Sequence, residues 1–266
     1  MAKRSKSRSS SADVPPGSPE LRLVRIPGIP EIHRRENLAK LITDSAREAG
    51  IRFEDGDILV IAQKIVSKSE GAFVRLATVK PSPEALAMAA RLKKDPRIVE
   101  VVLKESRRIV RSDPVLIAET HHGFVCANAG VDHSNVPDSD VVTLLPRNPD
   151  RSAKKLAAAL AKLTRKRIAV IISDTFGRPW RLGLTNVAIG AAGLPVLLDL
   201  RGTSDRHGRP LTATILAVAD ELAAAAGLLM GKSQGHPVVL IRGYRFKPVS
   251  EPATSIIRPA AEDLFR

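Results

Sequence analysis

The stretch from Arg167 to Gly190, RIAVIISDTFGRPWRLGLTNVAIG, decides how the chain is read. Its first part, Ile168-Ala169-Val170-Ile171-Ile172, is short, apolar and rich in β-branched residues, which predicts a buried strand. The run then breaks into Ser173-Asp174-Thr175, an acid between two hydroxyls where the strand is expected to meet a loop. In open α/β sheets ligands gather at the carboxyl ends of strands, because the scaffold fixes the loops there and leaves them open to solvent. Asp174 is therefore a candidate metal ligand. Behind it come Arg178, the only tryptophan (Trp180), Arg181 and glycines at 177, 183 and 190. A carboxylate takes a divalent cation and a guanidinium takes phosphate bidentately, so an acid beside two arginines suits a site that handles both.

Composition sets the frame around this stretch. A chain of 266 residues that is 44% hydrophobic can bury a real core as one large or two modest domains. With only 3% aromatics, that core must be built from Ala, Val, Leu and Ile. The 19 prolines and 17 glycines suggest the many element boundaries of an α/β arrangement. The single Cys126 rules out an intramolecular disulfide and a cysteine-based zinc site. No secretory segment or membrane-length apolar run is visible, so a cytoplasmic, membrane-free protein is the expectation. The net charge is +14; the first twenty residues hold four basic and two acidic side chains, so they account for +2 and the rest of the chain keeps +12. This excess is spread rather than striped, and aromatics are too few for a base-stacking platform. An anionic small substrate explains the charge at least as well as nucleic acid does.

Elsewhere the pattern alternates between strands and helices. Residues 1–19, rich in Ser, Lys, Arg and Pro, are expected to be a disordered basic tail, with one catalytic domain of one or two α/β lobes over 20–246 and a loose C-terminal tail over 247–266. A strand at 21–24 leads into the turn Ile26-Pro27-Gly28-Ile29-Pro30, and residues 37–49 predict an amphipathic helix stopped by Gly50. A second buried strand at 57–62 ends in Gln63-Lys64-Ile65-Val66-Ser67-Lys68-Ser69-Glu70-Gly71. That segment reads either as a phosphate-binding loop or as an exposed basic loop; it lacks the spaced glycines of a P-loop. Ser82-Pro83-Glu84 predicts a helix start, with helices over 83–94 and 97–106 and short strands at 115–118 and 123–126.

The neighbours His121 and His122 make poor joint ligands, since adjacent strand residues face opposite ways. Asp132 and Asn135, three apart, either share a face with hard oxygens or form an Asx turn. Beyond a strand at 141–145 and a helix at 150–164 lie the central stretch, strands at 195–200 and 212–218, a helix at 220–230 and a final strand at 238–241. Lys232 and Ser233 look like the end of a P-loop but follow a helix, which is the wrong context.

Singly these loops are weak signals; as an ordered set they are specific. IPGIPEI (26–32), GDILVIAQKIVSKSEG (56–71), GFVCANAGVDHSNV (123–136), SDTFGRPWRLGLTNVAIG (173–190) and GKSQGHPVVLIRG (231–243) together resemble the coenzyme F420 gamma-glutamyl ligase family, across Leu21 to Tyr244. The resemblance implies mixed sheets with flanking helices in an unusual α/β fold of the α+β type, usually as a homodimer. It also implies a GTP-dependent amide ligase that joins L-glutamate to a deazaflavin precursor, F420-0, with scope for further gamma-linked additions. Magnesium or manganese is implied as the divalent metal, as two ions, with potassium a candidate monovalent ion.

By the same resemblance the nucleotide contacts fall on Ile26, Pro27, Gly28 and Ile29, on Gln63, Lys64 and Lys68, on Asn135, and on Lys232, Ser233, Gln234, Gly235, His236, Pro237, Val238 and Val239. Gln63 stands where the family carries Ser or another small residue. The metal positions match Asp132, Asp174, Thr175 and Gln234. Our reading of the residues adds Arg178 or Arg181 as the holder of the acceptor's phosphate or carboxylate, against the alternative of surface ion pairs. Two other readings compete: a basic nucleic-acid-binding protein, and a related amide ligase with a different acceptor.

Overall fold

A computed structural model describes residues 20–133, 140–231 and 235–263. Its twelve strands, in chain order, are β1 (Arg22–Arg25), β2 (Ile58–Ala62), β3 (Phe73–Arg75), β4 (Ser106–Arg111), β5 (Ile117–Thr120), β6 (Val125–Ala127), β7 (Val141–Thr143), β8 (Ala169–Arg178), β9 (Arg181–Ala192), β10 (Leu198–Asp199), β11 (Ile215–Leu216) and β12 (Val238–Arg242). The α-helices are α1 (Leu38–Glu48), α2 (Gln63–Glu70), α3 (Pro83–Leu92), α4 (Pro96–Lys104), α5 (Pro149–Thr164) and α6 (Val218–Met230). The fold is thus α+β with mixed sheets, as the resemblance implied. Among the described residues no helix is long and apolar enough to cross a membrane.

The organising sheet runs β1-β12-β2-β8-β9, with β2 and β8 parallel and the other neighbours antiparallel. Both of its faces are covered, which is why β2, β12 and the first part of β8, to Ile172, are almost continuously apolar rather than alternating. On one face Leu59, Ile61, Val170, Ile172 and Leu240 pack with Ile42 of α1 and Leu160 of α5. On the other, Ile58, Val60, Ile171 and Val239 pack with Leu222, Ala223 and Ala226 of α6. Each fully buried aliphatic side chain contributes on the order of 1.5–3 kcal/mol. A smaller core gathers α3, α4 and the strands β4-β5-β6 around Val99, Val102 and Leu116.

Several expectations need correcting. β8 does not stop at Ile172: it continues through Ser173-Asp174-Thr175 to Arg178 and turns back into the twelve-residue β9, so Asp174 lies within a strand of a long hairpin rather than at its end. Residues 63–70 are the helix α2, not a loop, closed by Gly71 in the left-handed conformation. β4 occupies the end of the expected helix 97–106, and the strands at 195–200 and 212–218 shrink to the two-residue β10 and β11. The C-terminal segment is anchored rather than loose around residues 251–253: Ala253 is fully buried and its N–H donates to Asp150 Oδ1 at 2.8 Å, while Glu251 Oε2 accepts from Val196 N–H at 2.8 Å. Residues 1–19 lie outside the described residues.

Where helix meets sheet, Gly190 is required by space. A Cβ there would stand 2.6 Å from the Pro149 carbonyl carbon and oxygen, at the first turn of α5, which packs on β9. Backbone on both sides leaves no flexible atom to give way. Gly190→Ala is expected to destabilise the protein by about 1–3 kcal/mol, read as a lowered midpoint in denaturant titration.

Candidate active site

The parallel strands β2 and β8 end on the same edge of the sheet, with Ala62 paired to Ser173. A cleft of about 710 Å³ opens there. Its wall contains Ile29 and Glu31 from the first loop, Gln63, Lys64 and Lys68 from α2, Asp132, Ser173-Asp174-Thr175 from β8, Thr185 and Asn186 from β9, Gly227 and Leu228 from α6, and Gly235 and His236. A bulge aims this part of the hairpin: Ile172 pairs with Gly190 but Ser173 pairs with Ala188, leaving Ile189 as the extra residue. Bulges commonly re-aim side chains beside active sites.

The charges in the cleft meet across elements distant in sequence. Lys64 Nζ lies 2.7 Å from Asp132 Oδ2, and Lys68 Nζ pairs with Glu31. Before Asp132, Asn128, Ala129 and Gly130 all have positive φ, at 53°, 52° and 72°. Two non-glycine residues in that region store strain of the sort that collects at functional loops. Thr175 Oγ1 and Asn186 Oδ1 are 3.2 Å apart, and the Asn186 amide donates towards Met230 Sδ at 3.6 Å. Gly227 makes room for this amide, since a Cβ there would meet Asn186 Cγ at 2.9 Å.

Of the expected nucleotide contacts, Ile29, Gln63, Lys64, Lys68, Gly235, His236 and Pro237 line the cleft. The Gln63 side chain is turned inward, accepting from Ser67 Oγ at 2.9 Å. Ile26, Val238 and Val239 are fully buried, and Ile26 N–H donates to Val238 C=O at 3.0 Å, so only main-chain atoms at that junction could meet a ligand. Pro27 lines a second cavity beside Arg22, Arg52 and Arg242, and Gly28 C=O accepts from Ser45 Oγ at 3.2 Å. Arg178 and Arg181 are not brought into the cleft lining: both are exposed at the hairpin tip, where Arg178 donates to Leu182 C=O at 2.8 Å. Asn135, Lys232, Ser233 and Gln234 lie outside the described residues. His122 hydrogen-bonds the Pro146 and Arg147 carbonyls and takes no part in the cleft. Glu31, Asn128, Asn186 and Gly227 were missed, because only the strand pairing and the helix packing bring them here.

The donor set in the cleft is one of hard oxygens: carboxylates of Asp132 and Asp174, the Thr175 hydroxyl and the Asn186 amide oxygen. This suits magnesium or manganese. No group of three or more His, Cys, Asp or Glu side chains gathers as a metal site among the described residues, so a cation here would rely on neutral oxygens beside the two carboxylates. The nearby Cys126 thiol is pushed up to about 12, first by burial and then by the charge of Asp174. It stays protonated at neutral pH and is a poor metal ligand.

The sequence profile of the F420-0:gamma-glutamyl ligase family matches residues 28–243. The chain belongs to that family. The family's curated relatives are similar over most of their length. The coenzyme F420:L-glutamate ligase of Methanothermobacter thermautotrophicus is 48% identical over 248 residues, 92% of this chain and 98% of the relative. Those of Methanopyrus kandleri and Methanocaldococcus jannaschii are 46% and 45% identical, covering 94% and 86% of this chain and 99% and 90% of the relatives. The matched span of the ligase family includes every described element of the cleft.

Burial keeps the thiol out of reach of reagent. In the folded protein Cys126 is expected to resist alkylation at pH 8 until denaturant is added, as measured by mass spectrometry of the alkylated protein; ready alkylation without denaturant would contradict its burial.

Proposed function

We propose that this chain is a GTP-dependent amide ligase of coenzyme F420 biosynthesis, which activates a carboxylate of F420-0 as an acyl phosphate and joins L-glutamate to it. The observation that carries this reading is the convergence of Lys64, Lys68, Asp132, Asp174 and Thr175 on one cleft, in a chain of the F420-0:gamma-glutamyl ligase family. A carboxylate does not react with an amine unaided, because its hydroxide is too poor a leaving group. Attack of a carboxylate oxygen on the γ-phosphorus of GTP breaks the bond to the β,γ-bridging oxygen and releases GDP. The glutamate amine then attacks the acyl carbon, the C–O bond breaks to release orthophosphate, and the nitrogen loses a proton.

Each residue has a task in that sequence. Lys64 and Lys68 neutralise phosphate oxygens, as the N-terminal turn of α2 does through its N–H groups. Asp132 and Asp174, with Thr175 and Gln234, would hold divalent cations, magnesium or manganese, whose charge offsets that of the phosphates. Lys64 and Asp132 already pair, so a cation at Asp132 would release Lys64 to the nucleotide. Ile29, Gly235, His236 and Pro237 supply wall and main chain for the nucleotide. Arg178 and Arg181 remain assigned to the acid groups of the acceptor, approached from outside the cleft lining.

A homodimer belongs to the same proposal. The hairpin carries Trp180, Leu182 and Leu184 at 85%, 98% and 64% exposure, a run of large apolar side chains that suits a subunit contact.

With GTP, magnesium or manganese, and labelled glutamate, amide formation on F420-0 is expected; ATP in place of GTP with equal rates, or no product, would sink the proposal. Asp174→Asn is expected to lower turnover by a factor of about 100 or more with the fold retained. Lys68→Ala is expected to raise the GTP concentration needed for half-maximal rate by about tenfold, the cost of one charge-assisted hydrogen bond. Leu182→Glu, checked by light scattering, is expected to convert dimer to monomer.

A further inference from the structure

Beside the α2 N-terminus, already given to the phosphates, the cleft holds a group that none of the roles above explains. Ser173 is 98% buried and lines the cleft, yet its Oγ has no hydrogen-bond partner. Its strand neighbour in register, Ala62, is the residue that caps α2, and it offers no side-chain hydrogen bond to the helix's first N–H groups. The first turn of α2 carries no acidic residue, and its second residue is Lys64. A buried hydroxyl left without a partner costs about 1–3 kcal/mol, and a helix N-terminus without a cap leaves up to four N–H donors unused. Polar groups of both kinds, side by side at the end of two parallel strands, are unfavourable in the protein alone and favourable around an oxyanion.

We infer that Ser173 Oγ and the uncapped N-terminus of α2 form an oxyanion site that holds the phosphoryl group while it passes from GTP to the acceptor, and the orthophosphate that remains. The inference deepens the proposed reaction and rests on it for the identity of the phosphoryl donor. Its chemistry is recognition by hydrogen bonds: Ser173 donates its hydroxyl proton to a phosphoryl oxygen and forms no covalent bond. Asp174, the next residue on β8, faces the opposite side of the strand, so the Ser173 hydroxyl and the Asp174 carboxylate approach a bound phosphoryl group from different directions. Ser173 lies on the same side as Thr175, and both contribute to the cleft wall.

Ser173→Ala separates this role from a structural one. Removing a hydroxyl that serves only a ligand takes away an unpaired buried polar group, so the ligand-free variant is expected to melt no lower than the wild type. Its affinity for orthophosphate, measured by calorimetry without nucleotide or acceptor, is expected to fall by about 10- to 100-fold, the value of one hydrogen bond to a charged group. Ser173→Thr, which keeps the hydroxyl, is expected to retain affinity. In turnover the alanine variant is expected to lose kcat with little change in the KM for GTP. Unchanged orthophosphate affinity, or a loss matched by a lowered melting temperature, would overturn the inference. So would an alanine variant that loses affinity for glutamate but not for orthophosphate, since the site would then read carboxylates. The calorimetry needs neither GTP nor acceptor, so a protein that binds orthophosphate through Ser173 but forms no amide refutes the proposed reaction and leaves the oxyanion site standing.

Discussion

The parallel pairing of β2 with β8 is the constraint on which the site depends. It brings two carboxyl ends, Ala62 and Ser173, side by side on one edge of a sheet whose faces are both buried. From that edge the chain leaves in two ways. After β2 it winds at once into α2, so that Lys64 and Lys68 are delivered on a helix with an open N-terminus. After Ile172, β8 simply runs on, past the bulge opposite Ile189, and carries Asp174 and Thr175 out over the cleft on a rigid hairpin. A strand fixes such side chains more tightly than a loop would, which suits chemistry that depends on positioning.

The charged pairs of the cleft are better understood as arrangement than as stabilisation. Lys64–Asp132 and Lys68–Glu31 are partly exposed, and such pairs contribute roughly 0–1 kcal/mol. The pair that anchors the fold lies elsewhere: Asp57, almost fully buried, receives Nε and Nη2 of Arg242 at 2.8 Å each, which ties β12 to the start of β2. The cleft's own pairs join α2 to two separate loops, so in the proposed reaction they could exchange partners with phosphate or a cation at little cost to the fold. The strong excess of basic residues in the chain fits an anionic substrate without any continuous basic surface.

What the sequence made legible was what local physics decides. The cap Ser82 with Pro83 at the start of α3, Gly50 just past α1, and the apolar runs of β2, β8 and β12 all carry their own signals. β9 is hidden because its outer half, Arg181 to Asn186, runs from exposed to half-buried and mixes Gly183, Thr185 and Asn186 with Leu182 and Leu184, so burial does not mark it. α2 was read as a loop because its start has no capping side chain and Ser67, Lys68 and Ser69 dilute its apolar face. β4, SRRIVR, is too charged to resemble a strand until β5 pairs with it. In the cleft, Asp132, Asp174, Thr175 and the α2 lysines were recognisable by motif, whereas Asn186 and Gly227 depend on register and helix packing, which no single stretch encodes.

In the reaction we propose, transfer of phosphoryl to the acceptor carboxylate is the step that the cleft's lysines, acids and open helix end would serve. The direct measurement is oxygen tracing: F420-0 carrying ¹⁸O in its reactive carboxylate is converted with GTP and glutamate, and the released orthophosphate is analysed by mass spectrometry. An acyl phosphate leaves one carboxylate oxygen on phosphorus, so orthophosphate carrying a single ¹⁸O is the expected result. Amide formation that releases only unlabelled orthophosphate would contradict it.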